Sequence, residues 1–152
     1  MNQHVLTIEV SKWIKCPIET VKKQFADIGH HMRYRVHPRV EYTILSENQK
    51  ECRIRQTVRV LGLRQVDESV LRWVSKNVLM NDVIAGDNEG LRLMNVFEMV
   101  RPDTTLVNLT LEVPLRGFKK LLKPFFRIAV YRTVAKALEE DRIDLEQYGY
   151  PR

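Results

Sequence analysis

Apolar and polar positions along the chain follow three successive patterns. The opening stretch HVLTIEVSKWI is rich in β-branched residues and predicts a strand at about residues 3–13. PIETVKKQFAD then predicts a helix, with Ile18, Val21 and Phe25 forming one apolar stripe at i, i+3 and i+7. Pro17 suits the first helical position, where its missing N–H has no partner to lose, and Glu19 suits the positive end of the helix dipole. Gly29 interrupts the stripe, and HHMRYRVHP predicts a second short helix or loop ending before Pro38.

From Arg39 to about Pro114 the period changes to two. Val40, Tyr42 and Ile44 alternate with polar neighbours; Cys52, Ile54, Gln56, Val58 and Val60 alternate with Arg53, Arg55, Thr57 and Arg59. Val107, Leu109, Leu111 and Val113 do the same near the end of the region. Turn signals fall at SENQK, LGL, GDNEG and RPDTT, and the region reads as an antiparallel meander of about six strands, one face buried and one wet. After Gly117 the helical period returns and persists almost to the end, with Pro124 marking a kink or a joint between a short helix and a long one. Phe125, Ile128, Ala135, Leu138 and Leu145 predict the buried face of that long helix.

Composition narrows the class. The 152 residues, 44% of them hydrophobic and 29% charged, fit one folded domain over 1–152. Cys16 and Cys52 are too few for a disulfide scaffold and suit a reducing compartment. No apolar run reaches the roughly 20 residues that span a bilayer, and MNQHVLTIEV has no signal-peptide character, so a cytoplasmic protein is expected. The net charge of +6 attracts anions weakly, yet basic and acidic residues interleave along most of the chain. RNP, zinc-finger and GxxG motifs are absent, and no nucleic-acid partner is expected. GxSxG, HExxH, Walker and GxGxxG motifs are also absent, so covalent, zinc-protease and nucleotide chemistry have no support and no cofactor is expected.

The element order of strand, two short helices, long meander and closing helix resembles the START-like, or SRPBCC, superfamily of polyketide cyclase/dehydrase and lipid-transport proteins. The residues carrying the resemblance are IEVSKWIKCPIETVKKQFADIGHH and the closing AKALEEDRIDLEQYG. It implies an α+β helix-grip fold: an antiparallel sheet of about 6–7 strands curled around the long C-terminal helix. It also implies a cavity between sheet and helix for a hydrophobic or aromatic small molecule, lipid or polyketide-like. Superfamily members include carriers, cyclases and the catalytic domains of iron oxygenases, so the resemblance specifies fold better than function.

Three groups of residues carry candidate chemistry. His31, Tyr34 and His37 fall close together beside His30, and an imidazole or phenol at a cavity mouth can move protons to and from a bound carbonyl compound. As an alternative, His31, His37 and Asp141, with Asp27 and His30 nearby, imitate the two-histidine-one-carboxylate iron site of the Rieske-type oxygenase branch. The chain departs from that branch: five residues separate His31 from His37 where the branch has four, and no cysteine–histidine cluster for an iron–sulfur centre is present. A second group is Gln56 and Asn95, amides in phase with inward-facing apolar residues, joined by Tyr42, Trp73 and Phe97 as walls of a ligand site. The third is RGFKKLLKPFFRIAVYR, residues 116–132, whose mixed aromatics and cations suit an anionic membrane surface as well as a packed helix with solvated lysines.

Overall fold

The computed structural model describes residues 4–152. Strand β1 (Val5–Ile14) leads into helices α1 (Ile18–Ala26) and α2 (Ile28–Tyr34). Position 3, the first residue of the expected opening strand, lies outside the described residues. Six strands follow: β2 (Val40–Glu47), β3 (Glu51–Val60), β4 (Leu63–Ser75), β5 (Val78–Gly86), β6 (Arg92–Arg101) and β7 (Thr104–Pro114). A 3-10 turn (Gly117–Lys120) and helix α3 (Lys123–Ile143) complete the order, with a π turn at Asp144–Tyr148. No helix is long and apolar enough to cross a membrane among the described residues.

All seven strands form one antiparallel sheet in the order β1-β7-β6-β5-β4-β3-β2. Helix α3 contacts both β1, at one edge, and β3, near the other. A single helix can touch both only if the sheet curls around it. The alternation along β7 is complete, with Val107, Leu109, Leu111 and Val113 all buried. Each of these apolar side chains gains roughly 1.5–3 kcal/mol on leaving water, which holds the concave face against α3 and α1. Phe25 of α1 meets Phe97 of β6 edge to face, ring centroids 5.1 Å apart, and closes the core beneath α1.

The helices depart from expectation in two details. Pro17 is the N-cap of α1 with extended backbone (φ −58, ψ 143), one position before the helix rather than its first residue. In α3 the buried stripe runs through Phe126, Val130 and Leu138, with Leu145 just beyond the helix. Phe125 and Ile128, expected on that stripe, are 71% and 52% exposed. Adjacent aromatics at 125 and 126 make the local pattern apolar on two faces, and only packing selects between them. Pro124 sits in the first turn of α3, where it costs no hydrogen bond, so it marks a joint and not a kink.

Candidate functional site

Sheet and helix enclose a cavity of about 230 Å³. Its walls are mainly apolar, including Leu79, Leu93, Leu109 and Leu111 from the sheet and Phe126 and Val130 from α3. A hollow of roughly 150 Å³ lined by apolar groups admits benzene, and this one is larger.

Two kinds of polar group interrupt the apolar wall. The first is a set of amides on the sheet. Gln56, Asn81 and Asn95 line the cavity. Asn95 is 6% exposed and pairs across the strands with Leu79 and Leu109, both buried, so its amide lies in a leucine layer. The buried Oδ1 atoms of Asn95 and Asn81 have no hydrogen-bond partner. A carboxamide left so is a cost to the fold that a bound molecule with a donor group removes.

The second is an acid–imidazole cluster where α2 and the loop after it meet α3. Asp27 caps α2, its side chain accepting from the His30 N–H at 2.9 Å. The Asp27 carbonyl accepts from His31 Nδ1 at 2.8 Å, which fixes the imidazole with Nε2 turned toward Asp141 Oδ1, 3.0 Å away. With both ring nitrogens facing acceptors, His31 is best satisfied as an imidazolium. Burial disfavours that charge, but the hydrogen bond and charge of Asp141, the Asp27 carbonyl and the charge of Asp144 outweigh it, and the His31 pKa lies above its ordinary value. Burial likewise works against the Asp141 carboxylate. The charge of His37, the His31 interaction and the Gln24 hydrogen bond prevail, and its pKa lies below the usual carboxylate value.

His37 sits in the loop between α2 and β2, where its carbonyl accepts from Val40 N–H at 3.0 Å. Its Nε2 is 3.5 Å from Asp141 Oδ2, and its buried Nδ1 faces Glu140 Oε1 at 3.5 Å without hydrogen-bonding geometry. Tyr42, opposite on β2, has its pKa raised by burial first and by the charges of Asp141 and Glu140 second, which keeps the phenol a proton donor. Behind the cluster, Gln24 Nε2 donates to Asp141 Oδ1 at 3.1 Å and Asp144 Oδ2 at 3.0 Å, and His30 Nε2 pairs with Asp144 Oδ2 at 2.6 Å. Arg152 closes on the other Asp144 oxygen.

The structure therefore brings together His31, His37, Tyr42, Gln56, Asn95 and Asp141 on one cavity. Tyr34 is not among them: it is at the surface, its hydroxyl donating to the Arg152 carbonyl at 2.7 Å. Trp73 is 39% exposed and lines a shallow outer cleft with Lys22 and Glu47 instead of the cavity. Phe97 is fully buried between Phe25 and Trp73, a core side chain beneath α1 and not a cavity wall. Gln24 and Asp144 were missed in the sequence. Each is a polar residue on an apolar stripe, Gln24 beside Val21 and Phe25, Asp144 beside Leu145, and that mismatch was the available signal.

The cluster also has the donors of a mononuclear metal site. One ligand atom each from His31, His37 and Asp141 lie within 4.8 Å of one another. Bonds of about 2.1 Å to a divalent ion put neighbouring ligand atoms roughly 3.0–3.4 Å apart, close to the two contacts made by Asp141. These three side chains would hold the ion, which would supply Lewis acidity beside the cavity.

No family model matches the chain, and no curated protein matches it. Solved structures do. A protein from Thermus thermophilus superposes with TM-score 0.79 at 19% identity, over 90% of this chain and 94% of that one. The Zhui aromatase/cyclase from a Streptomyces species gives TM-score 0.77 at 18% identity, over 96% and 99%. A START superfamily protein from Mycobacterium smegmatis gives 0.72 at 19%, over 91% and 98%. At such identities the likeness establishes the fold, which is the START-like helix grip.

Proposed function

We propose that this protein binds a small hydrophobic or aromatic molecule, of up to three rings with at least one hydrogen-bond donor, and acts as its carrier or binding protein. The observation that carries the reading is the Asn95 carboxamide, unpartnered in a leucine layer beside a hollow of about 230 Å³. An apolar cavity with a few fixed polar groups is the usual chemistry of a small-molecule site. In this reading the second partner is an anionic membrane met by residues 116–132, where the cargo is loaded or released. Titration with the fluorescent probe 1-aminoanthracene tests the cavity. Saturable one-to-one binding that Val130→Phe abolishes supports the reading; absence of binding, or binding indifferent to that substitution, contradicts it.

A second reading has its own observation, the His31–Asp141 pair beside a His37 nitrogen that makes no hydrogen bond. It makes the protein an acid–base enzyme of cyclase or dehydratase type. His37 would take a proton from carbon next to a carbonyl, and Tyr42 or the His31 imidazolium would give one to the oxygen that gains charge. Dehydration would then release a hydroxyl group as water with the proton His37 took, while the enol oxygen returns its proton to Tyr42 or His31 as the carbonyl re-forms. The fold shared with an aromatase/cyclase is compatible with this chemistry without supplying it. Replacing His31 or His37 with Ala would abolish turnover of a polyketide-like substrate while leaving 1-aminoanthracene binding in place. Turnover that survives both substitutions removes this reading.

A further inference from the structure

The strand register sets the β3–β4 turn, the β5–β6 turn and the connection from β7 to α3 at one end of the sheet. The cavity reaches that end, where Val60, Gln65 and Phe126 line it. Large apolar side chains stand in solvent on two separate elements there. Leu61 and Leu63 flank the tip of the β3–β4 turn at 63% and 56% exposure. Phe118, Leu121 and Phe125, on the 3-10 turn and the start of α3, are 63%, 85% and 71% exposed. Both groups directly adjoin cavity-lining residues, Val60 next to Leu61 and Phe126 next to Phe125.

The charge around these side chains is of one sign. Arg116, Lys119, Lys120, Lys123 and Arg127 interleave with the apolar residues, and the chain has no Asp or Glu between Glu112 and Glu139. Arg59 and Arg64 flank the β3–β4 turn in the same way. The acids of this end include Asp87 and Glu89 on the β5–β6 turn and Glu112, opposite Arg92, and Asp87 accepts from the Val66 N–H at 2.8 Å. Exposed apolar tips ringed by cations match an anionic bilayer, with side chains in the acyl boundary and lysines at headgroup level. The oppositely charged headgroups decide against a second copy of this chain, whose same end carries the same excess of positive charge.

We infer that this end of the molecule docks on an anionic membrane as a two-sided portal, with the β3–β4 turn and the start of α3 both inserted so that the cavity faces the bilayer. The inference rests on the carrier reading and extends it: cargo passes between bilayer and cavity between Leu61 and Leu63 on one side and Leu121 and Phe125 on the other. A one-sided amphipathic helix would need only the α3 residues.

Co-sedimentation of the full chain with phosphatidylcholine vesicles, with and without 30% phosphatidylserine, tests it. The expected result is binding only with phosphatidylserine, lost at 0.5 M salt. Leu61→Asp/Leu63→Asp and Leu121→Asp/Phe125→Asp should each weaken binding at least tenfold. Both variants keep wild-type circular dichroism and bind 1-aminoanthracene within twofold of wild type, because the altered side chains are in solvent. No sedimentation at low salt overturns the inference, as does loss confined to the α3 variant. Self-association without vesicles that these variants abolish overturns it too, by assigning the surface to a second copy. Failure of 1-aminoanthracene binding in the wild type with intact sedimentation would instead count against the cavity reading.

Discussion

Replacing Asn95 with Leu should make the ligand-free protein more stable and a poorer binder. Asn and Leu branch at the same atom and carry the same number of side-chain heavy atoms, so backbone and register need not move. Asn95 is 6% exposed, its cross-strand partners are Leu79 and Leu109, and its Oδ1 has no partner. A buried unsatisfied polar group costs about 1–3 kcal/mol, and the substitution removes it while adding apolar contacts in the leucine layer. For a chain of this size each kcal/mol moves Tm by about 2–4 °C, so Asn95→Leu should melt about 2–12 °C higher. Thermal denaturation followed by circular dichroism, on protein freed of ligand, measures the shift; 1-aminoanthracene titration measures the loss of a polar anchor. A lower Tm would refute the reasoning, because it would mean the amide makes hydrogen bonds that hold the fold together.

The acid–imidazole cluster makes further predictions. Asp141→Asn strands the His31 imidazolium in a buried site and should cost about 3 kcal/mol near pH 6, read from urea denaturation; an unchanged midpoint would deny the ion pair. Stability should also depend on pH in two directions. The His31 contribution is complete below the unfolded imidazole value of about 6.5 and fades as pH rises through its raised folded value. The Asp141 contribution is complete above the unfolded carboxylate value of about 3.9 and fades as pH falls through its lowered folded value, so their joint effect peaks between these limits. Urea midpoints that climb steadily from pH 6 to 9 would contradict the His31 assignment. Zn(II) must displace the His31 proton, so calorimetric uptake should rise with pH and vanish in His37→Ala; uptake unaffected by that variant would place the metal elsewhere. Tyr34→Phe, at the surface, should leave 1-aminoanthracene binding within twofold and Tm within about 2 °C, and a larger loss of binding would return Tyr34 to the cavity.

The sheet was legible because alternation is a local signal: residues 107, 109, 111 and 113 need only face one way together. The turn at Lys76–Asn77 was not, since neither Gly nor Pro marks it. Strand phase also says which face a residue points to but not what covers it. Trp73 follows Leu71 in phase yet lies beyond the covering elements, and Phe97 is covered by Phe25 where α1 crosses. His31, His37 and Asp141 were legible as a chemical set. Their hydrogen-bonded support was not, because Gln24 meets Asp141 across more than a hundred residues. Phe125 and Phe126 compete for the same buried face, and local sequence contains no term that ranks them.

Native mass spectrometry of freshly purified protein, compared with Val130→Phe prepared in parallel, addresses the cavity most directly. The expected spectrum shows a small organic adduct at one per chain on the wild type, released by gentle activation, and none on the variant. Bare mass on both, from protein that also fails to take up aromatic compounds of up to three rings at millimolar concentration, would mean that nothing uses the hollow.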